Sequence, residues 1–143
     1  MQAIFIELPA FERHREKYLD DDRFHELQLM LLCNPEAGDA IPGTGGLRKV
    51  RFGDARRGKG KRGGLRVIYY WWNAGSEFWL FTLYDKDEME DLTPKQRDAL
   101  KDRVKAEIEA RKSQALVSLY TVLGVTLLVL IVIGYFSVGA YYS

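Results

Sequence analysis

The sequence predicts an α+β domain, in which a small antiparallel or mixed sheet packs on helices, followed by a C-terminal transmembrane helix. Short runs in which apolar side chains alternate with others indicate strands. Stretches with apolar residues three or four positions apart indicate helices. The last 31 residues of the 143-residue chain carry no charged side chain. We therefore assign residues 1–112 to a folded domain and residues 113–143 to a membrane anchor.

The first part of the domain predicts one strand and two helices. Residues 3–8 form a short apolar run that is typical of a buried strand. Pro9 follows this run and can open a helix, because proline is favoured in the first helical turn. Three consecutive acids at residues 20–22 supply an N-cap for a second helix, which ends near Asn34.

Three further strands are predicted after a loop at residues 36–46. Residues 47–52 and 65–72 alternate in hydrophobicity, as half-buried strands do. Residues 78–84 are apolar on both faces, which indicates an internal, buried strand. The sequence Asn-Ala-Gly-Ser at residues 73–76 is typical of a hairpin turn that joins the last two strands.

The C-terminal region predicts a capped helix and then a membrane span. Thr93 and Gln96 form a capping box that marks the start of the helix. The 22 residues of the stretch 115–136 would form a helix about 33 Å long, enough to cross a bilayer core. Arg111 and Lys112 precede it, so the positive-inside rule predicts a tail anchor with a cytoplasmic domain. Without insertion, the chain is expected in the cytoplasm.

Positive charge is concentrated in residues 43–72. This stretch holds nine Lys and Arg and one Asp, a net charge of +8 in a chain whose formal total is +1, so the remainder carries −7. Such segregation attracts a polyanion. Lys49 and Arg51 lie two residues apart on a predicted strand and so share one sheet face, which we expect to be open to solvent. The basic, Gly-rich link at residues 53–64 is expected to overhang that face.

Few residues are of the kind that bind metals or form disulfides. Cys33 is the one cysteine, so no internal disulfide can form, and its position at the apolar end of a helix predicts a buried side chain. His14 and His25 have no His or Cys at ligand spacing, and we predict no metal and no cofactor. A Gly-x-x-x-x-Gly-Lys match at residues 53–59 lacks the Ser or Thr that a nucleotide-binding loop requires.

Three motifs, GTGGLRKVRF, GKGKRGGLRVIYY and FTLYDKDEMEDLT, resemble in this order the RelE/ParE superfamily, and most closely the HigB-type toxins of bacterial type II toxin–antitoxin systems. The resemblance covers residues 1–112. It implies a RelE-like fold and an mRNA interferase, a ribosome-dependent endoribonuclease that cuts mRNA in the A site and inhibits translation. It also implies a cognate antitoxin with a helix-turn-helix domain as partner.

The same resemblance implies which residues act on RNA. Cleavage through the 2′-hydroxyl of the RNA needs a proton acceptor, cations for the phosphorane charge and a proton donor, but no metal. The residues that match the family's catalytic positions are Lys49, Arg51, Arg66 and Lys86. Tyr84 is a fifth catalytic candidate because it lies at the end of the same strand as Lys86. Tyr84 is expected to stack on a base or to donate a proton. The candidate RNA-binding residues, in which Lys59 and Lys61 match the family's loop lysines, are Arg48, Arg56, Arg57, Lys59, Lys61 and Arg62.

Two other functions remain open from the sequence. One is a non-catalytic binding module that inhibits a target by contact, as ParE relatives do. The other is a membrane-anchored module whose basic loop contacts RNA, anionic lipid or a protein. Lys49 and Arg51 on one sheet face favour cleavage, because a binding module would not need both cations there.

Overall fold

The computed structural model describes residues 1–53, 58 and 64–141. The chain divides into two compact units, Met1–Val104 and Lys105–Ser143. The described part of the second unit is helical. The elements in chain order are β1 (Ile4–Glu7), α1 (Pro9–Tyr18), α2 (Asp21–Cys33), β2 (Asp39–Ala40), β3 (Arg48–Phe52), β4 (Leu65–Trp72), a 3-10 turn (Asn73–Gly75), β5 (Glu77–Asp85) and α3 (Pro94–Tyr141).

The strands of the first unit form one five-stranded mixed sheet in the order β1-β5-β4-β3-β2. β1 runs parallel to β5, and the other three pairings are antiparallel. β5 lies between β1 and β4, which confirms it as an internal strand. The α+β class, with a small mixed sheet packed on helices, is also confirmed.

The short strand β2 lies inside the segment that was predicted to be a loop. Two exposed residues have no periodicity from which a strand could be predicted, and β2 is defined only by its pairing with β3. Gly38, with a φ of 79°, allows the chain before β2 to lie close to β3, since a Cβ atom at this position would be 2.3 Å from the carbonyl oxygen of Lys49.

One face of the sheet packs against α1 and α2 to form the hydrophobic core. Phe11 from α1 and Leu27 and Leu31 from α2 are fully buried there. Burying each such side chain contributes about 1.5–3 kcal/mol relative to leaving it exposed. The residues that the sheet contributes to this core are Val50, Phe52, Leu65, Val67, Tyr69, Phe78, Leu80 and Leu83.

Both predicted helix caps are confirmed. The Asp20 carboxylate accepts a hydrogen bond of 2.8 Å from the N–H of Arg23 at the start of α2. At the start of α3, the N–H of Thr93 donates to Gln96 Oε1 at 2.8 Å, and the N–H of Gln96 donates back to Thr93 Oγ1 at 3.2 Å. These bonds satisfy donors that a helix N-terminus leaves unpaired.

The prediction of a buried Cys33 is wrong, because this side chain is exposed. The buried stripe of α2 runs through Leu27 and Leu31. Cys33 stands two residues beyond Leu31, about 200° further around the helix, and therefore lies on the opposite side.

The apolar part of α3 is long and apolar enough to cross a bilayer, by length and composition, and 0% of its most apolar window is buried. Two of its hydroxyl groups are hydrogen-bonded within the helix. The Thr121 hydroxyl donates to the Val117 carbonyl at 2.8 Å, and the Thr126 hydroxyl donates to the Val122 carbonyl at 2.9 Å. Such internal pairing is what a hydrocarbon environment requires of polar groups.

Candidate functional site

Three of the candidate residues lie in one row across the sheet. Arg51 of β3 lies opposite Arg66 of β4, and Arg66 lies opposite Tyr84 of β5. Residues directly opposite one another project to the same sheet face, so the row spans about 10 Å. Lys49 lies opposite Ile68, one side-chain row further along this face. We call the surface formed by Lys49, Arg51, Arg66 and Tyr84 the basic face.

The basic face is opposite to the face that forms the core. Val50 and Phe52 alternate with Lys49 and Arg51 along β3 and belong to the core. The prediction that Lys49 and Arg51 share one sheet face is therefore confirmed. The alternation leaves Arg51 exposed.

Arg51 and Arg66 lie directly opposite each other in the strand register. Guanidinium groups match the geometry of phosphate with paired N–H donors. The pair therefore has the chemistry of a phosphate site.

The expectation of an open surface is wrong for Arg66, which is only 6% exposed. β4 is the middle strand of five, so neighbours on both sides cover the stem of this side chain. Its Nη1 atom donates to the carbonyl oxygens of Gly64 at 3.3 Å and Leu65 at 3.4 Å. The guanidinium is thus held in place before any ligand binds.

Asp91, from the turn between β5 and α3, joins the basic face. Its Oδ1 atom accepts a hydrogen bond of 3.0 Å from Lys49 Nζ and one of 2.8 Å from the N–H of Leu92. Partial burial acts to raise the pKa of Asp91, but the hydrogen bonds from Lys49 and Leu92 outweigh it and hold the pKa below its usual value. Asp91 is therefore ionised at neutral pH.

The Tyr84 hydroxyl is buried next to this ion pair. Burial raises the pKa of Tyr84 to about 12, and the Asp91 carboxylate adds to the increase, whereas Arg66 acts in the opposite direction. Among the described residues, none makes a hydrogen bond of good geometry to this hydroxyl, although the Asp91 carboxylate lies close enough to act on its pKa. With the side chain 5% exposed, its ring is not available to stack on a base in this arrangement.

The structure does not bring all of the other candidate residues to the basic face. Lys86 is exposed just after the end of β5. Arg48 lies opposite Tyr69, on the core face, and donates to the Gly38 carbonyl at 2.9 Å. Five loop candidates, Arg56, Arg57, Lys59, Lys61 and Arg62, lie outside the described residues.

Sequence reasoning missed Asp91 as part of the site. Asp91 lies 42 residues from Lys49 in the chain, so no local pattern links the two residues. The turn is tied to α1, because Glu88 accepts hydrogen bonds from the Tyr18 hydroxyl and, at 3.0 Å, from Lys17 Nζ. The capping box at Thr93 was the available signal, since it fixes where the turn ends two residues after Asp91.

No group of three or more His, Cys, Asp or Glu that could hold a metal ion occurs among residues 1–53, 58 and 64–141. Tyr84 of the basic face lines a cavity of about 520 Å³. His14 and Glu88 line it together with apolar residues of β5 and the first turns of α3.

The structure is similar to two solved structures of the E. coli toxin RelE. One is a double arginine-to-alanine mutant in the free state, with 13% identity, a TM-score of 0.44, and coverage of 63% of this chain and 90% of RelE. The other is the isolated toxin, with 10% identity, a TM-score of 0.46, and coverage of 71% and 98%. No protein-family model matches the chain.

The Lys49–Asp91 ion pair predicts a pH-dependent stability. Because the folded-state pKa of Asp91 is lowered, its contribution is present at neutral pH and is lost as pH falls through that pKa. Asp91→Asn should therefore lower the free energy of unfolding by about 0.5 kcal/mol at pH 7, as for a half-exposed pair, and by less at pH 3.

Urea unfolding of both proteins at the two pH values measures this difference. The same substitution in a Lys49→Met background is the control, and there both the effect and its pH dependence should be smaller, because the hydrogen bond from the N–H of Leu92 remains. An equal effect of Asp91→Asn at pH 7 and pH 3 would show that the ion pair contributes no linked stability.

Proposed function

We propose that residues 1–112 form a HigB-like toxin of the RelE/ParE superfamily, an mRNA interferase that cuts mRNA in the ribosomal A site. The observation that carries this proposal is the row of Arg51, Arg66 and Tyr84 with Lys49 beside it. Three cations and one phenol on one face are a set of groups that can bind a phosphodiester and protonate a leaving oxygen. The toxin motifs in the sequence support the same class of activity.

In the proposed reaction, the scissile phosphate displaces the Asp91 carboxylate from Lys49. Both groups are anions, and the phosphate additionally meets Arg51 and Arg66. The 2′-oxygen attacks phosphorus while the bond to the 5′-oxygen breaks, which gives a cyclic phosphate and a free 5′-hydroxyl. The three cations stabilise the charge of the phosphorane transition state.

Two groups would transfer the protons. Asp91 is ionised at neutral pH and, once released from Lys49, can accept the proton of the 2′-hydroxyl. Tyr84, whose pKa is raised to about 12, stays protonated and so donates to the 5′-oxygen rather than accepting a proton. Displacement of Asp91 also opens access to the Tyr84 hydroxyl. Lys86 adds a cation at the end of β5.

The proposed partners follow from the toxin assignment. A cognate helix-turn-helix antitoxin would neutralise the domain, and mRNA on the ribosome would be its substrate. Residues 113–143 would anchor the protein in the bacterial inner membrane, with residues 1–112 in the cytoplasm. If the tail stays outside the membrane, the whole chain would be cytoplasmic.

The experiment that tests the activity is translation of a reporter mRNA in a bacterial extract, with the full-length protein supplied in detergent micelles. We expect 5′-hydroxyl ends inside the reading frame when ribosomes translate the mRNA, and intact mRNA when ribosomes are left out. Primer extension maps the ends, and matched micelles without protein are the control. Arrested translation of intact mRNA would contradict cleavage.

That contradictory outcome would support a non-catalytic binding module instead. The arrangement of the site favours this second candidate, because Lys49 is ion-paired with Asp91 and the Tyr84 hydroxyl is buried. A binding module would act through the exposed Arg51 and the surface around it. Its contacts with RNA, lipid or protein would need no displacement of Asp91.

A further inference from the structure

Aromatic residues continue the basic face along β4. Arg66, Ile68, Tyr70 and Trp72 alternate onto one face of this strand, and Trp79 of β5 lies opposite Tyr70. The irregularity in the pairing falls on β5, between the partners of Ile68 and Tyr69, so the alternation along β4 is unbroken. From Arg66 to Trp72 the strand runs about 20 Å.

Trp79 contacts both other aromatic rings, with Tyr70 stacked on it and Trp72 tilted against it. The Tyr70 and Trp79 ring centroids are 5.0 Å apart with planes at 29°, and those of Trp72 and Trp79 are 5.6 Å apart with planes at 44°. Trp79 is 1% exposed, and its Nε1 donates to Glu77 Oε2 at 2.7 Å. Tyr70 and Trp72 lie above this buried ring and are partly exposed.

The backbone approaches both partly exposed rings closely at a glycine, at Gly46 for Tyr70 and at Gly75 for Trp72. A Cβ atom at Gly46 would lie 2.9 Å from the Tyr70 ring, and one at Gly75 would lie 2.5 Å from the Trp72 ring. Gly46 belongs to the GTGG run, which therefore has a packing role. Rings fixed before binding lose little conformational entropy when a ligand stacks on them.

Packing in the hydrophobic core does not account for the aromatic side chains of Tyr70 and Trp72. The neighbouring residues Tyr69 and Trp71 project to the other face and pack with the core, where Trp71 and Phe78 ring centroids are 4.4 Å apart. Tyr70 and Trp72 belong to the face that carries the cations. Partly exposed aromatic rings next to phosphate-binding cations are the combination that binds single-stranded nucleic acid.

We propose that Tyr70 and Trp72, supported by Trp79, form a base-stacking platform for single-stranded RNA whose phosphates contact Arg51 and Arg66. The inference rests on the proposed function for RNA as the ligand class, and it adds where the nucleotides beside the scissile phosphate bind. Every base has a π-face, so the platform accepts RNA of any sequence.

Stacking and phosphate contacts respond differently to salt, which provides the test. Phosphate contacts release counterions, so with a single-stranded ligand each adds about 0.7 to the magnitude of the slope of log affinity against log salt concentration. Stacking releases none. Loss of a stacking ring should therefore weaken binding equally at all salt concentrations, whereas loss of Arg51 should reduce the slope.

The experiment measures binding of a fluorescein-labelled, 2′-O-methyl RNA 12-mer by the full-length protein in detergent micelles, using anisotropy from low to moderate salt. We expect Trp72→Leu and Tyr70→Leu each to weaken binding about tenfold or more with an unchanged slope. Arg51→Ala should lower the magnitude of this slope by about 0.7. The matched control is Trp71→Leu on the opposite face, which should bind as the unmodified protein does, and circular dichroism checks the fold of each variant.

The modified oligonucleotide has no free 2′-hydroxyl, so binding is measured without cleavage. RNA binding that depends on Trp72, in a protein that cuts no mRNA, would support the platform and contradict the nuclease. Wild-type affinity in both Trp72→Leu and Tyr70→Leu would overturn the platform and leave the nuclease intact. If Trp72→Leu and Tyr70→Leu keep wild-type affinity for RNA but no longer bind a protein partner, these rings would be assigned to a protein interface.

Discussion

Arg51→Ala and Arg66→Ala are each expected to lower mRNA cleavage by on the order of a hundredfold or more, because in the proposed reaction each removes a cation that stabilises the charge of the transition state. Only Arg66→Ala is expected to destabilise the fold. The two residues have the same chemistry and lie directly opposite each other, but Arg51 is exposed and Arg66 is buried. Comparing the two variants therefore separates the effect of losing a charge from the effect of losing a buried side chain.

The cost of Arg66→Ala comes from two sources. The buried stem loses its packing, and hydrogen bonds to the Gly64 and Leu65 carbonyls are lost. Together these changes should lower the free energy of unfolding by about 1–3 kcal/mol. Arg51→Ala should leave it within about 0.5 kcal/mol, as for other exposed surface positions.

Cleavage in the translation extract and urea unfolding of the same preparations measure the two effects. Arg66→Lys is a useful third variant, because it keeps the charge but loses the planar group that binds phosphate through two N–H donors. Arg66→Lys should restore the free energy of unfolding more fully than it restores mRNA cleavage. Full cleavage by both alanine variants would remove these residues from the proposed reaction.

Two charges placed in the middle of the apolar stretch are expected to release the protein from the membrane. Leu128→Lys with Val129→Asp would add about 5 kcal/mol or more to the cost of insertion, because ionised side chains are unfavourable at the centre of a bilayer. Both positions are exposed on α3. The unmodified chain should sediment with membranes, and the charged variant should stay in the supernatant.

Washing with high salt and carbonate decides what holds the unmodified chain to the membrane. A basic loop on anionic lipid would be released by screening, whereas an inserted helix would remain. Leu128→Ile with Val129→Leu is the control and should behave as the unmodified chain does. Unmodified protein found in the supernatant would contradict the anchor without touching the proposed cleavage.

Much of the fold follows from local sequence signals. The capping residues, the alternating strands and the hairpin at Asn73–Gly75 all depend on contacts between residues that are close in the chain. The small strand β2 could not be predicted, because it exists only through pairing with β3. The exposure of Cys33 could have been predicted, since its angular position relative to Leu31 follows from the helix period.

The sequence by itself determined that cations alternate along β3, that acids gather after β5 and that the tail is free of charge, because these are properties of neighbouring residues. Tertiary structure alone decided which of these groups meet. Strand register placed Arg66 between Arg51 and Tyr84, and burial in the middle of the sheet made it a fixed group rather than a solvated one. Packing of the acidic turn brought Asp91 to Lys49, since contacts between distant segments depend on the whole fold and have no signal in the local pattern.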